Sequence, residues 1–329
     1  MSFRALVLDQ TDDVLSATVQ ILEDDVLPPG DVTVDVEWSS LNYKDGMVLG
    51  GIGRLVRNFP HVPGVDLAGT VVASDSDRFA AGQRVVCTGF HVGERWWGGY
   101  AQRARVQSDW LVAVPDTLTT RQTMEIGTAG LTAMLCVDAL EHAGLRPDDG
   151  PVLCTGAAGG VGTYAVHLLA RLGYAVTAST GRPETAQYLR DIGATEVIGR
   201  EEIGDPPGKP LLSERWAGCV DAVGGATLAH VIAEMRYGAA VAACGNTAGN
   251  DLPCSVLPFI LRSVRLLGVD SVVVPVERRA AQWRRLGELV DPEFLGAATS
   301  VIGLDDIPEA GARILAGQVR GRVLVDTGR

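Results

Sequence analysis

The chain has 329 residues, 47% of them hydrophobic and 21% charged, with a net charge of −12. That length suits about two domains with an ample core, and the acidic balance argues against a general nucleic-acid-binding surface. The six cysteines (Cys87, Cys136, Cys154, Cys219, Cys244 and Cys254) form no C-x-x-C pair and read as reduced thiols, not as a zinc or redox motif.

The N-terminus, MSFRALVLDQ, has no long apolar stretch or cleavage site, so no signal peptide is expected. No run suggests the roughly 18 apolar residues of a membrane span, and the expectation is a cytoplasmic protein without a membrane partner. The first part of the chain, to about Thr120, reads as β-rich. In VTVDVEW, Val32, Val34, Val36 and Trp38 alternate with polar residues, the pattern of a strand buried on one face. GVDLAGTVVAS and GQRVVCTGF are further short apolar runs, and Pro28-Pro29-Gly30, Gly50-Gly51 and Gly98-Gly99 punctuate the segment.

Beyond Thr120 strands alternate with helical patterns, as in a parallel sheet with crossover helices. PVLCT predicts a strand, followed by a helix with Val161, Ala165, Leu168, Leu169 and Leu172 near one face. AVTAS is the next strand, ETAQYLRDIGA a helix and EVIG a strand; CVDAVGG, AAVAACG and RLLGVD complete about six strands, the count of a dinucleotide-binding sheet. A charged amphipathic helix, RRAAQWRRLGELV, and a last strand, GRVLVD, follow.

The segment CTGAAGGVGTYAVHLLARLG carries the first chemical signal. It lacks a strict G-x-G-x-x-G: Ala157 holds the first glycine place, and Gly159 and Gly162 hold the others. Strand before and helix after still make a phosphate cradle, because the helix N-terminus offers free N–H groups and a positive dipole end. The alternative is a tight turn with no nucleotide. The following strand ends in Ala178-Ser179-Thr180-Gly181-Arg182, with no acid at its tip for a ribose 2′-hydroxyl. Hydroxyls and a guanidinium there suit a 2′-phosphate, which favours NADPH over NADH. The competing reading makes Arg182 a solvated loop residue and gives the ribose to Glu184. There is no H-E-x-x-H, no paired-cysteine ligand set and no G-x-S-x-G elbow; GDPPGKP reads as an exposed loop, and the five histidines are scattered.

Taken together, SSLNYKDG, PGVDLAGTV, IGTAGLTA, TGAAGGVG, VDAVGG, LPFILRSVRLLGVDSV and GRVLV resemble the medium-chain dehydrogenase/reductase superfamily along the whole chain. Zinc-dependent members carry Cys where Asn42 stands and a His-Glu pair where Val65-Asp66 stand, so the chain looks like the zinc-free, quinone-oxidoreductase-like branch and no metal is expected. Within that branch NYKD, RNFP and WGGY look like the acrylyl-CoA reductase group. The resemblance implies an α/β architecture: a GroES-like β-barrel-type catalytic domain (1–122 and 270–329) and a Rossmann dinucleotide-binding domain with a six-stranded parallel sheet (123–269). It implies NADPH-dependent reduction of acryloyl-CoA to propionyl-CoA by hydride transfer to the β-carbon. A quinone or free-enone reductase and a non-catalytic NADPH-binding protein are the alternatives, and a homodimer is expected by analogy.

Reduction of an activated alkene sends negative charge to the carbonyl oxygen, which calls for aimed donors. Asn42, Tyr43 and Asp45 are the candidate catalytic residues, with Asn42 and Tyr43 as donors and Asp45 orienting them; the bland reading of N-Y-K-D is a turn. By resemblance Thr128 lies near the nicotinamide, unless it is a helix cap. Ala158, Gly159, Gly160, Val161, Ser179, Thr180, Arg182, Gly245, Asn246, Val269, Asp270 and Ser271 complete the expected cofactor set, and Arg322 is expected at the cofactor or at the surface. Arg54 and Arg57 are candidates for the phosphates of coenzyme A.

Overall fold

The computed structural model describes residues 1–12 and 14–329. Among the described residues the chain forms two units, one from residues 1–131 with 271–329 and one from residues 132–270.

The first unit opens with a hairpin, β1 (Ser2–Thr11) and β2 (Val14–Glu23), that the sequence reading did not mark out. Then come β3 (Val32–Leu41), α1 (Tyr43–Leu49), β4 (Asp66–Ser74), β5 (Arg84–Thr88), β6 (Arg103–Val106), β7 (Val112–Ala113) and the first half of α2 (Thr120–His142). The alternation read in β3 holds at Val32, Val34 and Val36, all buried in the apolar core with Leu67, Val71 and Val85. It fails at Trp38, which is only half-buried, because the β3–β4 register shifts between Val36 and Trp38. A one-residue bulge turns the next side chain off the buried face.

α2 is 23 residues long and, by length and composition, apolar enough to cross a membrane, a feature absent from the sequence reading; 89% of its most apolar window is buried inside the protein, as in a core helix. It is kinked at Gly127, whose φ of 54° and ψ of −162° are not helical.

In the second unit the elements are β8 (Val152–Cys154), α3 (Gly160–Arg171), β9 (Val176–Thr180), α4 (Ala186–Asp191), β10 (Glu196–Gly199), β11 (Trp216–Asp221), α5 (Gly225–Glu234), β12 (Met235–Ala243), α6 (Leu257–Arg262) and β13 (Arg265–Gly268). All six strands pair in parallel, in the order β10-β9-β8-β11-β12-β13. This is the doubly wound order with its switch point at β8 and β11, beside which such sheets bind ligands. ETAQYLRDIGA forms only the short α4, after a 3₁₀ turn at Pro183–Thr185.

The chain then returns to the first unit through α7 (Val276–Leu289), α8 (Pro292–Ala298), β14 (Thr299–Gly303), α9 (Ile307–Leu315) and β15 (Arg322–Asp326). α7 is amphipathic, with Trp283 and Leu286 buried. β15 runs antiparallel to β3, pairing Val323 with Leu41, so the last strand is an interior member of a sheet ordered β14-β15-β3-β4-β5-β7.

Candidate active site

In the first unit the residues at the end of β3 and the start of α1 surround a buried carboxylate, Asp66, the first residue of β4 and fully buried. Asp66 Oδ2 accepts from Ser40 Oγ at 2.5 Å, from Asn42 Nδ2 at 2.9 Å and from the Thr128 backbone N–H at 2.9 Å, while Oδ1 accepts from Thr128 Oγ1 at 2.5 Å. Arg322 Nη2 lies 3.7 Å from Asp66 Oδ2 and donates to Ser40 Oγ at 2.7 Å. A buried charge survives only when paired and hydrogen-bonded, and Asp66 has both kinds of partner. The kink at Gly127 is part of this site. A side-chain carbon at that position would sit 2.7 Å from both Asp66 Oδ2 and Ser40 Oγ, so only glycine lets α2 come this close with a positive φ.

N-Y-K-D is a helix start, not a turn. Asn42 is the N-cap of α1, and Asp45 closes a capping box by accepting the Asn42 backbone N–H at 2.8 Å. Asp45 also accepts from the Val65 N–H at 2.9 Å and from Asn42 Nδ2 at 3.3 Å. Burial, followed by the nearby Asp66 charge, pushes the Asp45 carboxyl up to about 7.

The Asn42 amide is fully engaged: Nδ2 serves Asp45 and Asp66, and Oδ1 accepts from Arg322 Nη1 at 3.0 Å. The donor role that the sequence allowed Asn42 is therefore already spent inside the protein. Tyr43, by contrast, is 41% exposed. Arg322 is neither at the surface nor free to reach out: it is 2% exposed, and its guanidinium also donates to the carbonyls of Glu125 and Leu41. Thr128 directs both its donors at Asp66, so the carboxylate caps the helical segment after the kink.

The second unit holds the glycine loop. α3 starts at Gly160 with Gly159 as N-cap and no side-chain cap, which leaves its first N–H groups for a ligand. Gly162 packs against the loop so tightly that a side-chain carbon would lie 2.5 Å from Ala157 Cα. The loop is tied to β9 by the Ala157 N–H donating to the Ser179 carbonyl at 3.0 Å. Arg182 lies over it and donates from Nη2 to the Ala158 carbonyl at 2.9 Å. Thr180 Oγ1 accepts the Arg182 backbone N–H at 3.1 Å. This loop, with its open helix end and a guanidinium at the next strand tip, fits a dinucleotide bearing an extra phosphate.

The structure adds residues that sequence reasoning missed. The Arg200 guanidinium packs against Gly181, giving the tip of β9 a second cation; it comes from the turn after β10, too far along the chain for spacing to reveal it. Asp221, at the end of β11, accepts from Thr155 Oγ1 at 2.6 Å and the Gly224 N–H at 2.9 Å, and burial raises its pKa. Asp66 had a signal: an acid inside the apolar run GVDLAGTVV.

Gly245 and Asn246 follow β12; Asn246 is exposed and donates to Asn250 Oδ1 at 2.6 Å. Val269 is bonded to the Ala243 carbonyl at 2.9 Å, and Asp270 is exposed. The Ser271 carbonyl accepts from Arg279 Nη2 at 3.0 Å. Arg54 ends an exposed 3₁₀ turn, and Arg57 lines a surface cavity described below. No group of three or more His, Cys, Asp or Glu suited to a metal occurs among the described residues.

A doubly wound sheet with an open glycine loop and, in the same chain, a β-rich unit built around a buried polar cluster define a nucleotide-dependent oxidoreductase architecture. The alcohol dehydrogenase GroES-like domain family matches residues 28–116, and the zinc-binding dehydrogenase family matches residues 160–290. The chain is 54% identical to acrylyl-CoA reductase AcuI of Ruegeria pomeroyi over 98% of this chain and 99% of that protein. Among solved structures it matches the yhdH oxidoreductase of Salmonella enterica in complex with NADP at a TM-score of 0.96 and 53% identity, covering 99% and 100% of the two chains. It also matches the Bacillus subtilis protein yhfP with NAD bound at a TM-score of 0.95 and 43% identity, covering 99% and 100%. The chain belongs to the medium-chain dehydrogenase/reductase superfamily, in the acrylyl-CoA reductase group of its quinone-oxidoreductase-like branch.

Proposed function

We propose that the protein is an NADPH-dependent reductase of the 2-enoyl double bond of acryloyl-CoA, yielding propionyl-CoA. The observation that carries this reading is the full-length 54% identity to a named acrylyl-CoA reductase. When bound, NADPH would supply the hydride that adds to the β-carbon, and the resulting enolate takes a proton from water at the α-carbon to give the propionyl thioester. Gly159, Gly160 and Val161, at the start of α3, hold its pyrophosphate with backbone N–H groups, and Ala158, Ser179 and Thr180 shape the loop around it. Arg182 and Arg200 take the 2′-phosphate as charge-assisted donors. Val269, Asp270 and Ser271 are assigned to the nicotinamide amide, and Gly245 and Asn246 to the end of β12 that meets the cofactor.

In the first unit Tyr43 donates a hydrogen bond to the thioester carbonyl oxygen as it gains negative charge. Asn42 and Asp45 are positioning residues: they fix the first turn of α1, on which Tyr43 sits. Asp66, Thr128 and Arg322 hold Asn42 in turn, so we assign Thr128 and Arg322 to support of the site.

We further infer a cytoplasmic homodimer. β13 is an edge strand of its sheet, and Ile260 and Leu261 on α6, the helix that precedes it, are 67% and 57% exposed. Light scattering of the purified protein tests this, and a monomer mass would overturn it.

The enzymatic test is turnover of acryloyl-CoA followed by loss of NADPH absorbance, with NADH, crotonyl-CoA and a benzoquinone in parallel. Rapid NADPH-dependent reduction of acryloyl-CoA is expected. Reduction of the quinone without the thioester would overturn the substrate assignment.

A further inference from the structure

Outside the polar cluster, the first unit has a cavity of about 260 Å³ lined by Leu55, Arg57, Asn58, His61, Glu94 and Arg95. Its wall is charged and polar with one apolar side chain, which does not suit a three-carbon acyl group. Its volume is below the range of about 300–1,000 Å³ typical of whole-ligand pockets, so it suits one end of a larger molecule.

The charges have a direction. Glu94 is buried and already paired, with Lys44 Nζ at 3.0 Å and His91 Nδ1 at 3.6 Å. Arg57 and Arg95 are exposed, and among the described residues no carboxylate pairs with either. Two uncommitted guanidiniums on one cavity, in a chain with a net charge of −12, make a local anion site against the overall field.

His61 adds a second, independent feature. It is 3% exposed, and its Nε2 is buried without a hydrogen-bond partner. Backbone bonds to Leu8 at 2.7 and 2.9 Å fix its main chain, and the Gly93 backbone holds its ring. Burial lowers its pKa, so the ring is neutral and Nε2 is an acceptor. A buried acceptor left unmatched costs free energy that a ligand donor would recover.

We propose that this cavity is the subsite for the phosphorylated nucleotide end of coenzyme A, with Arg57 and Arg95 on the 3′-phosphate and His61 Nε2 accepting from a neighbouring hydroxyl or amino group. The proposal rests on the acyl-CoA reading above and deepens it: the enzyme recognises the carrier as well as the alkene. Arg54 lies outside the lining and is left with no part in it.

The test is the double variant R57Q/R95Q assayed with acryloyl-CoA, its 3′-dephospho analogue and acryloyl-pantetheine. The expected result is a KM for acryloyl-CoA raised about tenfold, with kcat, the KM for acryloyl-pantetheine and the Kd for NADPH unchanged. The 3′-dephospho thioester should already show most of that penalty with the wild-type protein. An unchanged KM in the double variant, or equal KM values for acryloyl-CoA and acryloyl-pantetheine in the wild type, would overturn the proposal. Calorimetry with adenosine 3′,5′-bisphosphate at saturating NADP⁺ separates the two readings. Binding by the wild type that is lost in R57Q/R95Q supports the subsite even if acryloyl-CoA is not turned over, an outcome that would sink only the assigned reaction. No binding by the wild type would overturn the subsite.

Discussion

Asn42 Nδ2 donates to Asp66 Oδ2 at 2.9 Å while Arg322 donates to Asn42 Oδ1 at 3.0 Å, so one amide bridges a buried anion and a buried cation. Removing either charge strands the other. Asp66→Asn should therefore lower stability by about 3 kcal/mol in urea denaturation. Arg322→Met should do the same, and the double variant should lose clearly less than the sum. Additive losses would mean that the two residues do not act as a pair.

Asp45 gives stability a pH signature. Its carboxyl titrates at about 7 in the folded protein and near the ordinary carboxylate value, about 4, when unfolded. The folded state therefore binds the extra proton in that window, and stability falls as pH rises from about 4 through about 7. Asp45→Asn should remove on the order of 2 kcal/mol of this dependence. Melting curves of both proteins at pH 5 and pH 8 test it. An equal change in Tm for the two would show that Asp45 is not the titrating group.

Tyr43 is the exposed member of the N-Y-K-D stretch, so its loss should spare the fold. Tyr43→Phe is expected to lower kcat with acryloyl-CoA by about tenfold to a hundredfold. Its stability should stay within about 0.5 kcal/mol of wild type. An unchanged kcat would remove Tyr43 from the chemistry.

On the proposed reading, Arg182 and Arg200 set the cofactor preference. Arg182→Ala should raise the KM for NADPH about tenfold or more and leave that for NADH nearly unchanged, since a hydrogen bond to a charged group is worth about 1.5–3 kcal/mol. Arg200→Ala should act in the same direction. Parallel losses with both cofactors would instead assign Arg182 to holding the loop through the Ala158 carbonyl.

The second unit was legible because its signals are local. Apolar runs, a glycine loop and a helix face follow one another within a few residues, and the hydroxyl-and-arginine tip of β9 can be read where it stands. The polar cluster was only half legible. Asn42, Tyr43 and Asp45 lie together in sequence, but nothing in their spacing says that the Asn42 amide is spent on Asp66 and Arg322. Those contacts span 24 and 280 positions. Arg200, His61 and Arg95 escaped for the same reason, whereas Arg57 was already a candidate for the phosphates of coenzyme A. The failed alternation at Trp38 is different in kind: this bulge carries no glycine to announce it and shows only in the pairing of β3 with β4.

The order in which the polypeptide is made follows from the position of β15. A ribosome releases Ser40, Asn42 and Asp66 long before Arg322, so the nascent amino-terminal unit carries the acid without its cation until β15 emerges and slots in beside β3. Synthesis of the intervening nucleotide-binding unit is thereby complete before the catalytic unit can close. An interrupted translation product should remain open, visible to proteases and unable to imitate the finished enzyme.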